Sequence, residues 1–570
     1  MLEIGVGRAD ITCTVPGIGL MGWGLHEQKA DGVAAPLFAR AFVVRDPATG
    51  GKIALVCCDL WGITQSIRQG VLDALAAEHA QRGFGEANLM LVATHTHSAP
   101  GGYSHFVFYN ASVPGFCAEV RDTIIAGVLK ALIQADEGRV PGRVRWARGT
   151  VDGPVAFNRS PSAYNRNPEV EPVTWEDRGR ATDRRMSLLR FEDATGRPLG
   201  LASFFAVHGT SVHSSWSLIH PDNKGCAATL VEAESGDPDF VAIFAQGAAG
   251  DVSPNFRWDR ARKLMIGALD DDVASAEHNG ALQARCALDL MEAAARGASL
   301  EGLDAAILYA DFERMEVDPT FTGGREGRTS GAAVGLSMVM GTAEGWGPLF
   351  PWRRTVGALN TLAGAVRRVR GALSRLTGGR YDGWETHRNK AFFADTGRGP
   401  DATAFHLFSL ANPPLPPWLD RGVWYFRTLT ARGAIGEHPF TPTILPVQAL
   451  RLGPVVIVGV QGEPTTVAGL RLEATALARL APAGVTDVVV AGYANAYAGY
   501  TTTAEEYVAQ CYEGGSTLFG QWSLAATQTV LDRLAADLLV PPARRSVDRG
   551  PSPHRFDEEE LRRRAFPLTS

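Results

Sequence analysis

Unbroken apolar runs alternate along this chain with stretches whose apolar residues recur three and four positions apart. "KIALVCCDLWG" (52–62) is the first such run and predicts a strand covered on both faces, with Cys57 and Cys58 pointing to opposite sides. "QSIRQGVLDALAAEHA" (65–80) has apolar residues at 67, 71, 72, 75 and 76, the spacing of a helix. "NLMLVATHTHS" (88–98) is a second apolar run. Strand, helix and strand joined by short loops predict a parallel β-α-β unit. The order returns later. "FVAIFAQGAAGDVSPN" (240–255) reads as a strand entering a Gly-rich turn, and "PVVIVGVQGEPTT" (454–466) as another. The helical "VAGLRLEATALARLA" (467–481) and the strand "DVVVAGYANAY" (487–497) follow. The predicted fold class is α/β, with mixed β-sheets, flanking helices and the functional site at the carboxyl ends of strands.

Two stretches break this rhythm. Residues 316–440 are rich in Gly, Pro, Trp and Arg and show little periodicity, so they read as an irregular, insertion-rich part of one domain spanning 1–540. Within them, 353–380 has apolar residues at 356, 359, 362, 366, 369, 373 and 376, with seven arginines and no acid. That is a basic amphipathic helix, read either as a surface helix packed on the domain or as a face for peripheral contact with an anionic membrane. The tail 541–570 is polar and broken by proline, and predicts an extended C-terminal arm with one short helix.

Composition narrows the class. With 45% hydrophobic and 20% charged residues the chain reads as globular, and a net charge of −6 leaves no cationic excess for nucleic acid. The seven cysteines are scattered without a CxxC pair, as expected of reduced thiols. No signal segment and no apolar stretch of membrane-spanning length is visible, so a chain starting at this Met is expected in the cytoplasm.

The unusual residues gather where strands are predicted to end. His95 and His97, read as extended, point the same way and could reach one metal or one substrate. Pro100-Gly101-Gly102 then forces a turn. In "FFAVHGTSVHSSWSLIHPDNKG" (204–225), His208 ends an apolar run. A third imidazole at a strand end makes a zinc site plausible. His213 and His220 sit in more polar sequence and read as solvent-facing. Ser253 in "AQGAAGDVSPN" could be an exposed nucleophile or part of an ordinary turn, with Asp251 orienting or capping. Glu463 stands at a strand-to-helix junction, as helix cap or as metal ligand. Thr503 and Glu506 form a capping box that starts a helix near Ala504, with Tyr500 just before it. Tyr512 is expected at its end, followed by the stop Glu513-Gly514-Gly515.

These clusters, in this order, resemble the neutral (non-lysosomal) ceramidase family. The resemblance runs through "GVGRADIT" (5–12), "THTHSAPGGY" (94–103), "NRSPSAY" (158–164), "FAVHGTSV" (205–212) and "DNKG" (222–225). It continues through "GDVSPN" (250–255), "GEPTTVAG" (462–469) and "YTTTAEEYVAQCYEGGSTLFG" (500–520). It implies a zinc amidase that splits N-acylsphingosine into sphingosine and a fatty acid. It further implies His95, His208, Glu463 and Tyr500 as Zn²⁺ ligands, and His97, Arg159 and Tyr512 as groups contacting the amide and its oxyanion. Ser253 is the implied essential serine, either attacking the amide or positioning a water.

The sequence also departs from the family pattern. Ala99 stands where Gly is usual, Pro464 where Phe is usual, and "NFRWDR" follows the serine turn in place of a Gly-Pro run. The chain ends 50 residues past Gly520, too few for the immunoglobulin-like domain of fuller members, which also carry a secretion signal and are secreted or periplasmic. The expected substrate is an N-acyl lipid, ceramide first. Other N-acyl lipids or hydrophobic amides are the alternative, and an inactive lipid-binding protein is a third reading.

Overall fold

A computed structural model describes residues 1–352, 386–397, 421–435 and 438–567, with six single positions between them (354, 365, 369, 373, 376 and 418). The amphipathic segment 353–380 lies, apart from five of those positions, outside the described residues.

Two mixed sheets stack face to face. The larger contains β1 (Leu2–Asp10), β2 (Phe38–Arg45), β3 (Lys52–Cys58), β4 (Leu89–Ala93), β5 (Val140–Thr150), β6 (Arg185–Asp193), β7 (Pro198–Phe205) and β8 (Val241–Gln246). Their spatial order is β8-β7-β6-β5-β1-β2-β3-β4. The smaller contains β9 (Leu303–Asp311), β10 (Ile444–Leu452), β11 (Val455–Val460) and β12 (Asp487–Ala491), in that order. Phe42, Leu55 and Val92 from the first sheet pack with Leu450, Ile457 and Val489 from the second in one buried core. The outer faces are covered by helices. Gln65–Glu78 (α1) and Ala118–Glu137 (α2) lie over β1–β4. Asp222–Glu234 (α3) and Asp272–Ala295 (α4) lie over β5–β8, and Thr466–Leu480 (α5) and Ser523–Leu538 (α6) over the second sheet. The result is four layers, α/β/β/α. Strands covered on both faces must be apolar throughout, which is why β3 and β4 read as unbroken runs. Cys57 falls in the inter-sheet core and Cys58 under α1 and α2, on opposite faces as predicted.

Three strand pairs are parallel: β3 with β4, β7 with β8, and β11 with β12. Each is bridged by a helix, α1, α3 and α5 respectively. All other pairings in the two sheets are antiparallel. β12 is shorter than the predicted 487–497, because the chain turns inward after Ala491 to line the site. Residues 316–352 are irregular as expected, built from short two-stranded pieces such as Gly341–Thr342 with Gly345–Trp346.

The C-terminal arm carries its one short α-helix, Glu558–Arg563. It is strapped to the domain: Tyr309 N donates to Arg549 O at 2.7 Å, and buried Arg564 donates to the carbonyl oxygens of His105 and Ala434. All seven cysteines are free thiols. No helix among the described residues is long and apolar enough to cross a membrane.

Candidate active site

The loops that follow five strands of the three parallel pairs converge on one site. His95 and His97 follow β4, His208 follows β7, and Asp251 and Ser253 follow β8. Glu463 follows β11, and Tyr493, Tyr497 and Tyr500 follow β12. Crevices at the carboxyl ends of such strands are where open α/β sheets bind ligands.

His95 and His97 do not share an extended strand, contrary to the reading from spacing. β4 ends at Ala93, and His95 adopts φ 68°, in the left-handed region. Its N–H donates to Leu60 O at 2.9 Å, and the His97 N–H to Gly209 O at 3.2 Å. The reversal turns both rings inward, so their Nε2 atoms still meet at 3.1 Å. Asp222, Tyr493 and Asn495 also have positive φ. Such conformations in non-glycine residues cost energy and collect at functional sites. Gly22 is required by close approach: a Cβ there would lie 2.3 Å from the His97 ring.

Three imidazoles, those of His95, His97 and His208, bring ring nitrogens within 4.8 Å of one another, all buried. Glu463 Oε2 lies 3.4 Å from His95 Nε2 and 3.1 Å from His208 Nε2. The Tyr500 hydroxyl is 3.3 Å from His208 Nε2. His95 Nδ1 bonds Trp61 O at 2.5 Å, and His208 Nδ1 bonds Ala249 O at 2.6 Å and Val252 O at 3.1 Å. A carbonyl partner requires the proton on Nδ1 and leaves a lone pair on Nε2. Burial, with Arg159 beyond it, holds the His208 pKa below the usual imidazole range, so that ring is neutral. A neutral Nε2 facing a carboxylate oxygen puts lone pair against lone pair, and a cation between them resolves the clash. That carboxylate, Glu463, is itself buried. Its two oxygens also accept from the Tyr493 and Tyr497 hydroxyls. The donor set therefore fits a metal. His97 differs from the other two: its Nδ1 has no hydrogen-bond partner among the described residues. Burial, then the His95 ring, holds its pKa well down.

Arg159 joins this centre to the serine turn. Its guanidinium donates to the Tyr500 hydroxyl at 3.0 Å, to Gly250 O at 2.7 Å and to Glu513 Oε1 at 2.8 Å. Its Cζ lies 5.2 Å from the Tyr512 ring centroid. Burial raises the Tyr512 hydroxyl to about 12, against the pull of Arg159, so it is a neutral donor at pH 7. Ser253 is buried on a short strand pairing with Phe157, and its Oγ accepts from Asn255 N at 2.8 Å. Val252 O, which orients His208, is on the preceding residue. A cavity of about 180 Å³ opens against Arg159, Asn255, Glu344 and Tyr512.

All eight residues singled out in the sequence meet here, and three surrounding expectations change, those for His213, His220 and Tyr512. His213 and His220 are buried, not solvent-facing. His213 bonds Asp272 at 3.1 Å and Met265 O at 3.0 Å, while His220 Nδ1 accepts from Asp222 N at 3.0 Å. Glu463 does not cap α5. Asp251 does, accepting from Thr466 N at 2.8 Å. Tyr512 begins a helix, Tyr512–Ser516, instead of ending one, so Glu513-Gly514-Gly515 lie inside it. The Thr503–Glu506 capping box is present as read.

Sequence reading missed Glu344. This buried carboxylate accepts from Thr210 Oγ1 and Asn255 Nδ2, each at 3.1 Å, and pairs with Arg159 at 3.5 Å. Burial would raise its pKa, but Arg159 and the Ser253 hydroxyl, among others, bring it below the usual carboxylate value. It sits in a hairpin turn of the irregular part, where no periodicity marks it.

A buried, metal-fitting histidine–carboxylate centre beside an anchored serine is the equipment of a hydrolase. Residues 2–405 and 427–529 match the family model described as neutral/alkaline non-lysosomal ceramidase, N-terminal. The chain is 35% identical over 538 residues to the neutral ceramidase of Pseudomonas aeruginosa, covering 94% of this chain and 72% of that protein. It is 32% identical over 545 residues to the neutral ceramidase of Mycobacterium tuberculosis, covering 94% and 77%. Among solved structures it resembles a ceramidase complexed with C2, with TM-score 0.77 and 33% identity. It also resembles the P. aeruginosa neutral ceramidase, with TM-score 0.75 and 32% identity; each comparison covers 97% of this chain and 78% of the other. The chain belongs to the neutral/alkaline non-lysosomal ceramidase family and is an amidohydrolase.

Proposed function

We propose that this protein is a zinc-dependent amidase that hydrolyses the N-acyl bond of ceramide to sphingosine and a fatty acid. The observation that carries the reading is the convergence of His95, His208, Glu463 and Tyr500 on one buried point, with Arg159 tying Tyr500 to the serine turn. His95 and His208 suit ligand roles because each anchors its second nitrogen on a backbone carbonyl, the usual support of a metal-bound imidazole. His97 lacks that anchor and is assigned to the substrate. The nitrogen-and-oxygen donor set suits zinc, which when bound would supply Lewis-acid polarisation at the scissile amide.

The chain's own groups carry the remaining chemistry. Arg159, fixed by Glu513, Glu344 and Gly250 O, has little freedom to reorganise and presents its charge to the developing oxyanion. The Tyr512 hydroxyl and the His97 ring add neutral hydrogen-bonding groups. Ser253 Oγ attacks the carbonyl carbon, its proton passes to the amine as the C–N bond breaks, and water then cleaves the acyl ester to release the fatty acid and restore the hydroxyl.

The test is fatty-acid release from ceramides of increasing acyl length and from matched N-acyl amines. Each buried methylene is worth ~0.8 kcal/mol, so turnover should climb with acyl length. Brisk release from a simple amide with none from any ceramide would reassign the substrate, and no release from any amide would leave only lipid binding.

A further inference from the structure

Three tryptophans are exposed among the described residues, Trp175, Trp258 and Trp418. One of them lines the cavity at the site and a second sits opposite a lining residue. Trp175, 45% exposed, lines it together with Arg178 and Met265. Trp258, 51% exposed, pairs directly across from Met265 in the hairpin formed by Arg257–Asp259 and Leu264–Ile266. The hairpin is fastened to the mouth, since Met265 N donates to Ala343 O at 2.8 Å and the Trp346 indole donates to Lys263 O at 3.1 Å. Arg178 stacks 4.1 Å over Trp175 and donates to Phe256 O at 3.0 Å, so both indoles are braced from one framework.

Charges of both signs lie around them. Arg257 pairs with Asp270 at 2.9 Å and Arg262 with Asp272 at 2.7 Å, so these two acids are matched, while Asp271 between them caps α4 by accepting from Ala274 N. Asp259 turns back onto the tip, accepting from the N–H groups of Ala261 and Arg262. Arg260 and Lys263 remain at the tip, exposed and without an ion pair among the described residues. An indole with a large exposed face is poorly placed in water and well placed at the boundary between lipid headgroups and acyl chains. Two unpaired cations beside it complement an anionic lipid surface.

We propose that the hairpin 257–266, with Trp175 beside it, is the face by which this protein docks on an anionic bilayer, holding the cavity mouth against the lipid phase. The proposal rests on the reading of the substrate as an N-acyl lipid, which must leave a bilayer to reach Ser253.

The test uses the full chain and the triple variant Trp258→Ala, Arg260→Gln, Lys263→Gln, all at exposed positions outside the catalytic groups. Sedimentation with phosphatidylcholine vesicles, with and without phosphatidylserine, reads binding. Each cation near an anionic surface contributes about fivefold to partition. Binding to phosphatidylserine-containing vesicles should therefore fall by more than ~20-fold with the indole also gone. Hydrolysis of long-chain ceramide embedded in those vesicles should fall in parallel, and hydrolysis of dispersed short-chain ceramide should be unchanged. Unchanged vesicle binding, equal loss on the dispersed substrate, or no preference of the wild type for phosphatidylserine would overturn the proposal. A wild type that releases no fatty acid from ceramide would sink the substrate reading instead, while the binding arm would still decide the docking face.

Discussion

Asn255 Nδ2 donates to Glu344 Oε2 over 3.1 Å, joining the turn that carries Ser253 to a hairpin 89 positions further along the chain. The same carboxylate accepts from Thr210 and faces Arg159. One buried charge thus holds the serine turn, the loop after His208 and the guanidinium in register.

Glu344→Gln should separate holding from charge. The amide oxygen can keep the Thr210 and Asn255 hydrogen bonds, but its NH₂ group then confronts the Arg159 donor. Losing the charge of a buried pair leaves its partner under-compensated. The expected outcome is a kcat about 10- to 100-fold lower, with metal content kept, and partial recovery in Glu344→Asp. Steady-state kinetics and metal analysis check it, and a kcat within twofold of wild type would remove Glu344 from the site's working parts.

Metal and substrate roles of the histidines can be told apart. Purified protein should hold about one zinc per chain. His208→Ala should lose metal and activity together. His97→Ala should keep the metal and lose about 100-fold or more in turnover, because its ring lacks the carbonyl anchor of a ligand. Elemental analysis beside the activity assay decides. Full activity in chelated, metal-free protein would end the metal assignment.

How much of this was legible in the sequence depended on what marks a residue locally. β3, α1 and β4 were readable because a strand buried on both faces is apolar without interruption and the intervening helix keeps one stripe. β1, β2, β5 and β6 carry arginines such as the buried Arg40, satisfied by Asp59 and Glu232 from distant elements, and their antiparallel pairing has no local signal. His95, His208 and Ser253 stood out near predicted strand ends with glycines close by in the sequence. Glu463 and Tyr500 were legible only through the family resemblance, since a carboxylate before a helix reads equally well as a cap. The left-handed turn at His95 is imposed by Leu60 O and Gly209 O, contacts the local sequence does not contain. Glu344 had no marker at all.

Lys224, in α3 beneath the site, gives a pH signature in stability. Its Nζ is buried, donating to Phe205 O at 2.8 Å, and burial lowers its pKa to about 7. An unfolded lysine titrates near 10.4. Between about pH 7 and 10 the unfolded chain holds a proton that the folded chain has released, so this residue makes stability rise with pH across that window. Below about 7 both states are protonated and the burial cost is paid in full. Other groups titrate in the same range, so the difference between wild type and Lys224→Met is the measurement. The Tm of wild type relative to the variant should increase from pH 7 to 10, and parallel curves would contradict the assignment.

Ser253→Ala addresses the proposed nucleophile. Oγ accepts from Asn255 N at 2.8 Å and donates to Asn255 O at 3.4 Å, so its removal costs local hydrogen bonds, typically about 1 kcal/mol each, and should leave the fold intact. Val252 O, which orients His208, belongs to the backbone and survives the change, so metal content should equal that of wild type. Turnover should drop by about 10³-fold or more if Oγ forms the bond to the acyl carbon. A burst of amine release equal to the enzyme concentration, ahead of fatty-acid release, should appear in the wild type when acyl-ester hydrolysis is the slower step and be absent from the variant. If the variant keeps more than a tenth of the wild-type rate, the serine only positions other groups and the attack on the amide belongs to water.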